Sequence, residues 1–295
     1  MKNYQLVPLL ILIASLSQAI AGTAPAGKTI LETKEPNSLD LFSAEWSYTT
    51  KSNFKSGAYG SQDAGEWDFS YSHRFPVTGH WYLRAGVDYQ RFDFGGSTNG
   101  LPNHLQAVSG IVAFEYVEQN FPAVAVVLHP GFYFENDINA QSFDMPIEIY
   151  SSFKITDKFF VMIGAAGARY YHPSVFPIGG VIWLINDQWR VEGIFPKPAL
   201  IWSPMKEWDF RLQGELLGGG FRMDGGNPNP ALSGAVLQYV EYRAGVQASY
   251  TGFKSFELIA GAGYSVERQF DFYRAHTNLR TAGALFIKLG VEAKF

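Results

Sequence analysis

From residue 39 to the C-terminus the chain repeats an alternation of apolar and polar side chains with period two. Trp67, Phe69, Tyr71, His73 and Phe75 interleave with Glu66, Asp68, Ser70, Ser72 and Arg74. Successive side chains of a strand point to opposite faces, so this segment has one apolar and one polar face. The same rule orders Phe42, Ala44, Trp46 and Tyr48 against Ser43, Glu45, Ser47 and Thr49, and Val240, Tyr242, Ala244 and Val246 against Glu241, Arg243, Gly245 and Gln247. Apolar residues at helical spacing are nowhere sustained, which makes the chain all-β.

Strand length separates the architectures that alternate. Strands of a soluble sandwich run about 5 to 6 residues, and its loops do not sort by length. Here twelve long segments are legible, near 39–51, 64–75, 80–94, 103–116, 122–135, 143–155, 159–171, 176–186, 207–218, 235–251, 255–269 and 277–295. Many run roughly 10 to 15 residues, near the 9 to 11 with which a tilted strand crosses a bilayer. Short connections (76–79, 118–120, 156–158, 186–188, 204–206, 251–254) alternate with long ones rich in Gly, Pro, Asn and Asp (51–64, 95–102, 135–141, 171–176, 218–234, 269–276). That is the stitching of a transmembrane antiparallel β-barrel. Residues 189–203 lie between two short turns, so they hold an even number of crossings. Pro196-Lys197-Pro198 interrupts them, because proline cannot donate to a ladder. A short hairpin is expected there, giving 12 to 14 strands and leaving open whether it stands in the wall or dips inside. Trp81, Phe159, Trp189 and Trp208 follow short turns and predict an aromatic girdle.

The N-terminus predicts a compartment. Met1-Lys2-Asn3, an apolar run over residues 6–16 and the small-x-small Ala19-Ile20-Ala21 have the form of a signal peptide. The run is shorter than the about 20 apolar residues of a membrane helix. The expected division is a signal peptide at 1–21, a polar leader at 22–38 and a barrel at 39–295. With no Cys, disulfides and thiolate chemistry are excluded. A net charge of −4 without a basic block argues against nucleic acid.

At the C-terminus Leu285, Ile287, Leu289, Val291, Ala293 and Phe295 form one apolar face. Within it, Lys288-x-Gly290-x-x-Ala293-x-Phe295 resembles the β-signal by which bacterial outer-membrane barrels are recognised for insertion. The resemblance implies a lipid bilayer and the outer-membrane barrel assembly machinery as partners, and these four residues as the insertion signal. Two further runs, Trp189-x-x-x-Gly193-Ile194-Phe195-Pro196-Lys197-Pro198 and Gly214-Glu215-Leu216-Leu217-Gly218-Gly219-Gly220-Phe221-Arg222, resemble an uncharacterised family of bacterial outer-membrane β-barrel proteins, a domain of unknown function. That resemblance covers about 35 residues. It implies fold and location, and supplies no catalytic residues.

Parity assigns the faces. Trp67, Phe153, Trp208, Tyr250, Phe256 and Phe295 are expected towards lipid. Glu66, Asp68, Arg84, Asp88, Glu148, Lys154, Arg211, Glu215, Glu241, Arg243 and Arg280 are the candidate lumen-lining residues, joined on the inner face by Arg190, Glu192, Asp209, Glu257, Lys288 and Glu292. Gly86, Gly110, Gly164, Gly245, Gly261, Gly263 and Gly290 are expected inside as well, where they relieve strand bending or leave room. Charges at membrane depth face water or each other, so two functions compete. One is a passive porin-like channel for small hydrophilic solutes. The other is a non-conducting structural or surface-interaction barrel whose lumen is closed by ion pairs.

No hydrolase, metalloprotease or phosphate-loop motif is present, and none of the six His has an assembled acid partner set. Asp224-Gly225-Gly226-Asn227 holds one acid and is expected as a loop turn. The chain is therefore expected to be no enzyme and to need no cofactor or metal. It is expected in the outer membrane of a Gram-negative bacterium, with solute and oligomeric state left open.

Overall fold

The computed structural model describes residues 39–295 apart from 97, 119, 120 and 254. The expected signal peptide and leader, and two residues of the turn at 118–120, lie outside the described residues. The strands are β1 (Leu39–Asn53), β2 (Ser61–Thr78), β3 (Trp81–Gly95), β4 (His104–Glu118), β5 (Phe121–Leu128), β6 (Gly131–Phe134), β7 (Phe143–Asp144), β8 (Ile147–Thr156), β9 (Phe159–Gly167), β10 (Val175–Leu184), β11 (Trp189–Glu192), β12 (Ala199–Met205), β13 (Trp208–Arg222), β14 (Val236–Tyr250), β15 (Phe256–Phe272), β16 (Thr277–Arg280) and β17 (Ala284–Lys294). All belong to one sheet, and β1 pairs with both β2 and β17, which closes it.

Three crossings are each built from two segments. His129-Pro130 separates β5 from β6, Met145-Pro146 separates β7 from β8, and residues 281–283 separate β16 from β17. The prolines remove ladder donors, and their carbonyls carry the pairing across: Gly110 N–H donates to the Pro130 carbonyl and His129 N–H to the Pro146 carbonyl, each at 2.9 Å. Counted as crossings, the barrel has 14 antiparallel strands. The hairpin at 189–203 stands in the wall, since β11 pairs with β10 and β12, and β12 pairs with β13. Short turns gather at one end, the turn end, and long loops at the other, the loop end.

The outer surface is apolar around the circumference: Phe42, Trp67, Val87, Phe153, Leu212, Val246, Leu285 and Ile287 are all exposed. So large a continuous apolar belt is stable in lipid and not in water. The aromatic girdle is present at the turn end, with ring centroids 6.0 Å apart for Trp189 and Trp202, 5.0 Å for Trp208 and Tyr250, and 4.7 Å for Trp81 and Phe114.

One strand departs from a simple cylinder. β13 pairs with β12 only as far as Gln213. Its loop-end half then crosses the interior, and Arg222 pairs in parallel with Phe134 of β6. The loop end is thus a smaller ring made of β13, β14, β15, β16, β1, β2, β3, β4 and β6, with β16 tied to β1 by the Phe54–Thr281 bridge. The glycine run makes the crossing feasible. Residues 215–221 are buried on both faces. A Cβ on Gly220 would come 2.6 Å from the Tyr170 Cβ, and Gly218 has φ +132° with its absent Cβ directed at the Tyr239 carbonyl. Sequence parity placed a loop from residue 218; the strand instead runs to Arg222, because glycine lets neighbours close on both sides.

Candidate functional site

The interior is layered from the loop end down. Because β13 reduces the circumference there, side chains suffice to fill the ring, as in barrels of about eight strands. Phe92, Phe94, Phe221, Tyr239 and Phe270 form an aromatic layer shut off from solvent. Centroids lie 4.9 Å apart for Phe92 and Tyr239, 5.3 Å for Phe94 and Phe270, and 5.0 Å for Tyr239 and Phe270. Alternation brings these rings in: they occupy the polar-parity face near the loop end, where the strands supply aromatics in place of charges.

Beneath the rings lies a charged layer. Tyr239 Oη donates to Glu241 at 3.0 Å, linking the two. Arg243 joins Glu241 at 3.0 Å and Glu66, across the interior on β2, at 3.2 Å. Thr49 and Ser47 of β1 donate to Glu241 and Glu66, each at 2.9 Å. The Arg243 guanidinium stands 5.0 Å over the Phe286 ring. That ring lies flat on β14 and β15 because Gly245 and Gly263 are bare there; an added Cβ would come within 3.0 and 2.8 Å of it. Arg268, wholly buried, donates to Ser52 Oγ at 2.8 Å and to the Gln62 carbonyl.

Towards the turn end the barrel regains its full circumference and its lumen keeps contact with water. Lys197, from the β11–β12 connection, projects inward and meets Glu215 at 2.8 Å; Lys288 meets Glu215 and Glu45, each at 3.1 Å. Side-chain exposure is 31% for Lys197 and 21% for Glu45, against 1% for Glu215. Asp68, Glu257 and Glu292 face the same space and are partly exposed. Nearer the turns, Arg190 binds Glu192 at 2.9 Å and Asp209 at 3.2 Å, with Arg211 3.6 Å from Glu192. A cavity of about 1000 Å³ opens among the turns, over Lys158, Asn186, Arg190, Ser203 and Lys206. On the opposite wall Arg74 and Arg84 share Glu115 at 3.0 and 2.8 Å, and Asp88 and Glu148 are buried on the inner face.

Ten of the eleven candidate lumen residues have inward parity, though Lys154 sits in solvent at the rim, 2.9 Å from Asp157 of its turn. Arg280 is a correction. It alternates with Leu279, which packs in the interior cluster, so Arg280 points outward and pairs with Glu267 at 3.4 Å. The break at 281–283 resets the parity that the sequence carried back from Phe295. Gly110 is a second correction: it pairs with outward Val87 and faces Pro130. Parity over residues 103–116 could have found Glu115. Lys197 sits in a connection, which has no parity. Arg268 follows a bulge that leaves Val266 unpaired and reverses the faces of β15.

At the loop end Asp224 is a hub for turns. Its carboxylate accepts from Asn136 Nδ2 at 2.6 Å and from the N–H groups of Asn136 and Asp137 at 3.3 and 3.1 Å. Among the described residues no three His, Asp or Glu converge to hold a metal ion.

No protein-family model matches the chain, and no curated protein matches it. Among solved structures it is similar to an outer membrane channel from Pseudomonas putida F1, with TM-score 0.45 and 9% identity over 90% of this chain and 97% of that one. It is similar to the P. putida toluene transporter TodX, with TM-score 0.36 and 11% identity over 97% of this chain and 93% of that one. The translocator domain of autotransporter NalP from Neisseria meningitidis gives TM-score 0.39 and 8% identity over 97% of this chain and 99% of that one.

Proposed function

We propose that the protein is a channel-type barrel of a bacterial outer membrane, closed across its loop end in this structure, into whose half-lumen small hydrophilic solutes pass from the periplasm. The observation that carries this is a charged half-lumen that keeps contact with water at Lys197 and Glu45 and ends blind beneath the aromatic layer. Inward charges of this kind need water or partners. A permanently open porin fits less well, since Phe92, Phe94, Tyr239 and Phe270 pack together, buried, inside the loop-end ring. Passage rather than catalysis is the activity proposed, with no cofactor, on the charged half-lumen and the lack of a hydrolase, metalloprotease or phosphate-loop motif in the sequence.

A second function has its own support. The links from Arg243 to Glu66 and from Lys288 to Glu215 span the interior, as a non-conducting structural or surface-interaction barrel would need. Planar-bilayer recording of refolded residues 22–295 separates the two. For a closed channel, rare openings are expected from the native chain and frequent ones from the double variant Phe92→Ala/Phe270→Ala. Silence from both, with insertion verified by protease protection, decides for the scaffold.

Location and assembly are part of the same proposal. Fractionation with the outer membrane and heat-modifiable gel mobility are expected, and a soluble periplasmic product would overturn the assignment. Lys288, Gly290, Ala293 and Phe295 are proposed as the insertion signal read by the barrel assembly machinery, on the strand that closes against β1.

A further inference from the structure

We propose that Arg222, Asp224 and Glu135 form a latch at the loop end, and that its release lets the loop-end half of β13 leave β6 and open the ring. The proposal rests on the channel function above.

The β6–β13 junction differs from its neighbours in the ring. The others continue antiparallel ladders that run on towards the turn end. This one is a single parallel pair, Arg222 with Phe134, with no ladder beneath it, because β13 there pairs with β12 and β6 continues as β5. On the interior side the pair is flanked by the buried cluster of Tyr133, Tyr170, Phe221 and Met223; on the loop side what supplements it is polar. Glu135 N–H donates to the Arg222 carbonyl at 3.0 Å, and Asp224 N–H donates to Glu135 Oε2 at 3.1 Å. Arg222 Nη2 reaches Gln141 Oε1 at 2.8 Å, and Asp224 holds the 136–137 turn as described. These bonds lie in the loops, where water replaces a broken partner, so each contributes modestly and the one at the carboxylate most.

The latch is coupled to the closure. Phe221, adjacent to Arg222, is the one ring of the aromatic layer carried by β13, 6.1 Å from Phe92. Withdrawal of this strand segment removes Phe221 from the layer. Between Gln213 and Phe221 stand Gly214 and Gly218 to Gly220, which have no side chains to extract from their neighbours and supply the backbone freedom for a hinge.

The chain has no native Cys, so a staple is clean. Phe134→Cys/Arg222→Cys places two thiols on a directly paired position, within disulfide reach. The refolded barrel is recorded in a planar bilayer, with folding checked by heat-modifiable mobility. Asp224→Ala is expected to raise the opening frequency roughly tenfold, the effect of losing one to two kcal/mol of latch. The oxidised staple, alone or combined with Asp224→Ala, is expected to abolish openings, and dithiothreitol to restore them. Should Asp224→Ala fail to assemble, Asn136→Ala removes the shortest of the same hydrogen bonds, that from Asn136 Nδ2. If the latch variants open no more often than the native chain while Phe92→Ala/Phe270→Ala conducts, the latch is wrong and the channel stands. Openings that persist through the oxidised staple overturn the latch too, and silence from every variant overturns the channel itself.

Discussion

Lys197 Nζ lies 2.8 Å from Glu215 Oε1, and this pair fastens the β11–β12 connection to β13 inside the barrel. The main chains meet at the same place: Gly214 N–H donates to the Pro198 carbonyl at 2.9 Å and Leu216 N–H to the Pro196 carbonyl at 3.2 Å. Glu215 serves a second cation, Lys288. Removing its charge strands two ammonium groups, whereas removing Lys197 leaves Glu215 paired and takes away a group that water already reaches. Glu215→Gln is expected to cost on the order of 3 kcal/mol and Lys197→Met about 1 kcal/mol. Urea unfolding of the refolded barrel in detergent measures both, and the reverse order would contradict the arrangement.

Gly218 tests the crossing strand. Its φ of +132° and its approach to the Tyr239 carbonyl leave no place for a methyl group. Gly218→Ala is expected to destabilise the barrel by about 2 kcal/mol or more. Gly225→Ala, in a loop with nothing near the new atom, is the control and is expected to be neutral. The temperature at which the folded gel band converts to the unfolded one reports the difference; equal temperatures would mean that β13 does not pass so close to β14.

Parity made the wall legible, because one residue of slip exchanges the faces of a strand: Trp67 and Glu66 face oppositely for that reason alone. It failed where parity resets without a visible signal, as at the bulge before Arg268 and at the break after Arg280. It also says nothing about which strands meet across the interior. The Gly193 to Pro198 and Gly214 to Arg222 runs stood out as sequence, and their contact at Pro198–Gly214 and Pro196–Leu216 continues the register of the β12–β13 pairing, but no local pattern encodes a parallel pair between Arg222 and Phe134. Nor did alternation show that the inner face turns aromatic near the loop end, since Phe92 and Phe94 sit at positions where polar residues were expected and Phe270 comes inward only through the bulge.

The latch should respond to pH through Glu135. Burial raises its carboxyl above the usual carboxylate range; the Asp224 N–H bond acts against this, and the Asp224 carboxylate adds to it. Around it stand Asp224, Asp137 and Arg222, with His104 of β4 within electrostatic reach of Asp224. The closed latch therefore binds this proton more tightly than an open one. Closure is strongest below the ordinary Glu value of about 4.3 and weakens as pH rises through the raised value of Glu135. Opening frequency is expected to climb with pH over that mildly acidic window and then level off. Glu135→Gln should flatten the climb while staying closed, and an unchanged profile in that variant would remove Glu135 from the mechanism.

Phe295 tests how the wall is completed. Its main chain pairs reciprocally with Asp40, N–H to carbonyl at 3.0 and 3.1 Å, where β17 meets β1, and its ring lies 5.6 Å from Phe256 at the turn end. Phe295→Ala keeps the backbone pairing and removes only the ring. If the ring served packing alone, the loss would be that of one half-exposed aromatic, and the assembled amount would barely change. As part of an insertion signal it acts before the barrel exists, so Phe295→Ala should lower the assembled fraction several-fold while the precursor is still cleaved after Ala21, and Phe295→Tyr should retain it. The measurement is the heat-modifiable, protease-protected fraction in outer membranes at equal expression. Equal fractions for Phe295→Ala and the native chain would reduce Phe295 to a packing residue.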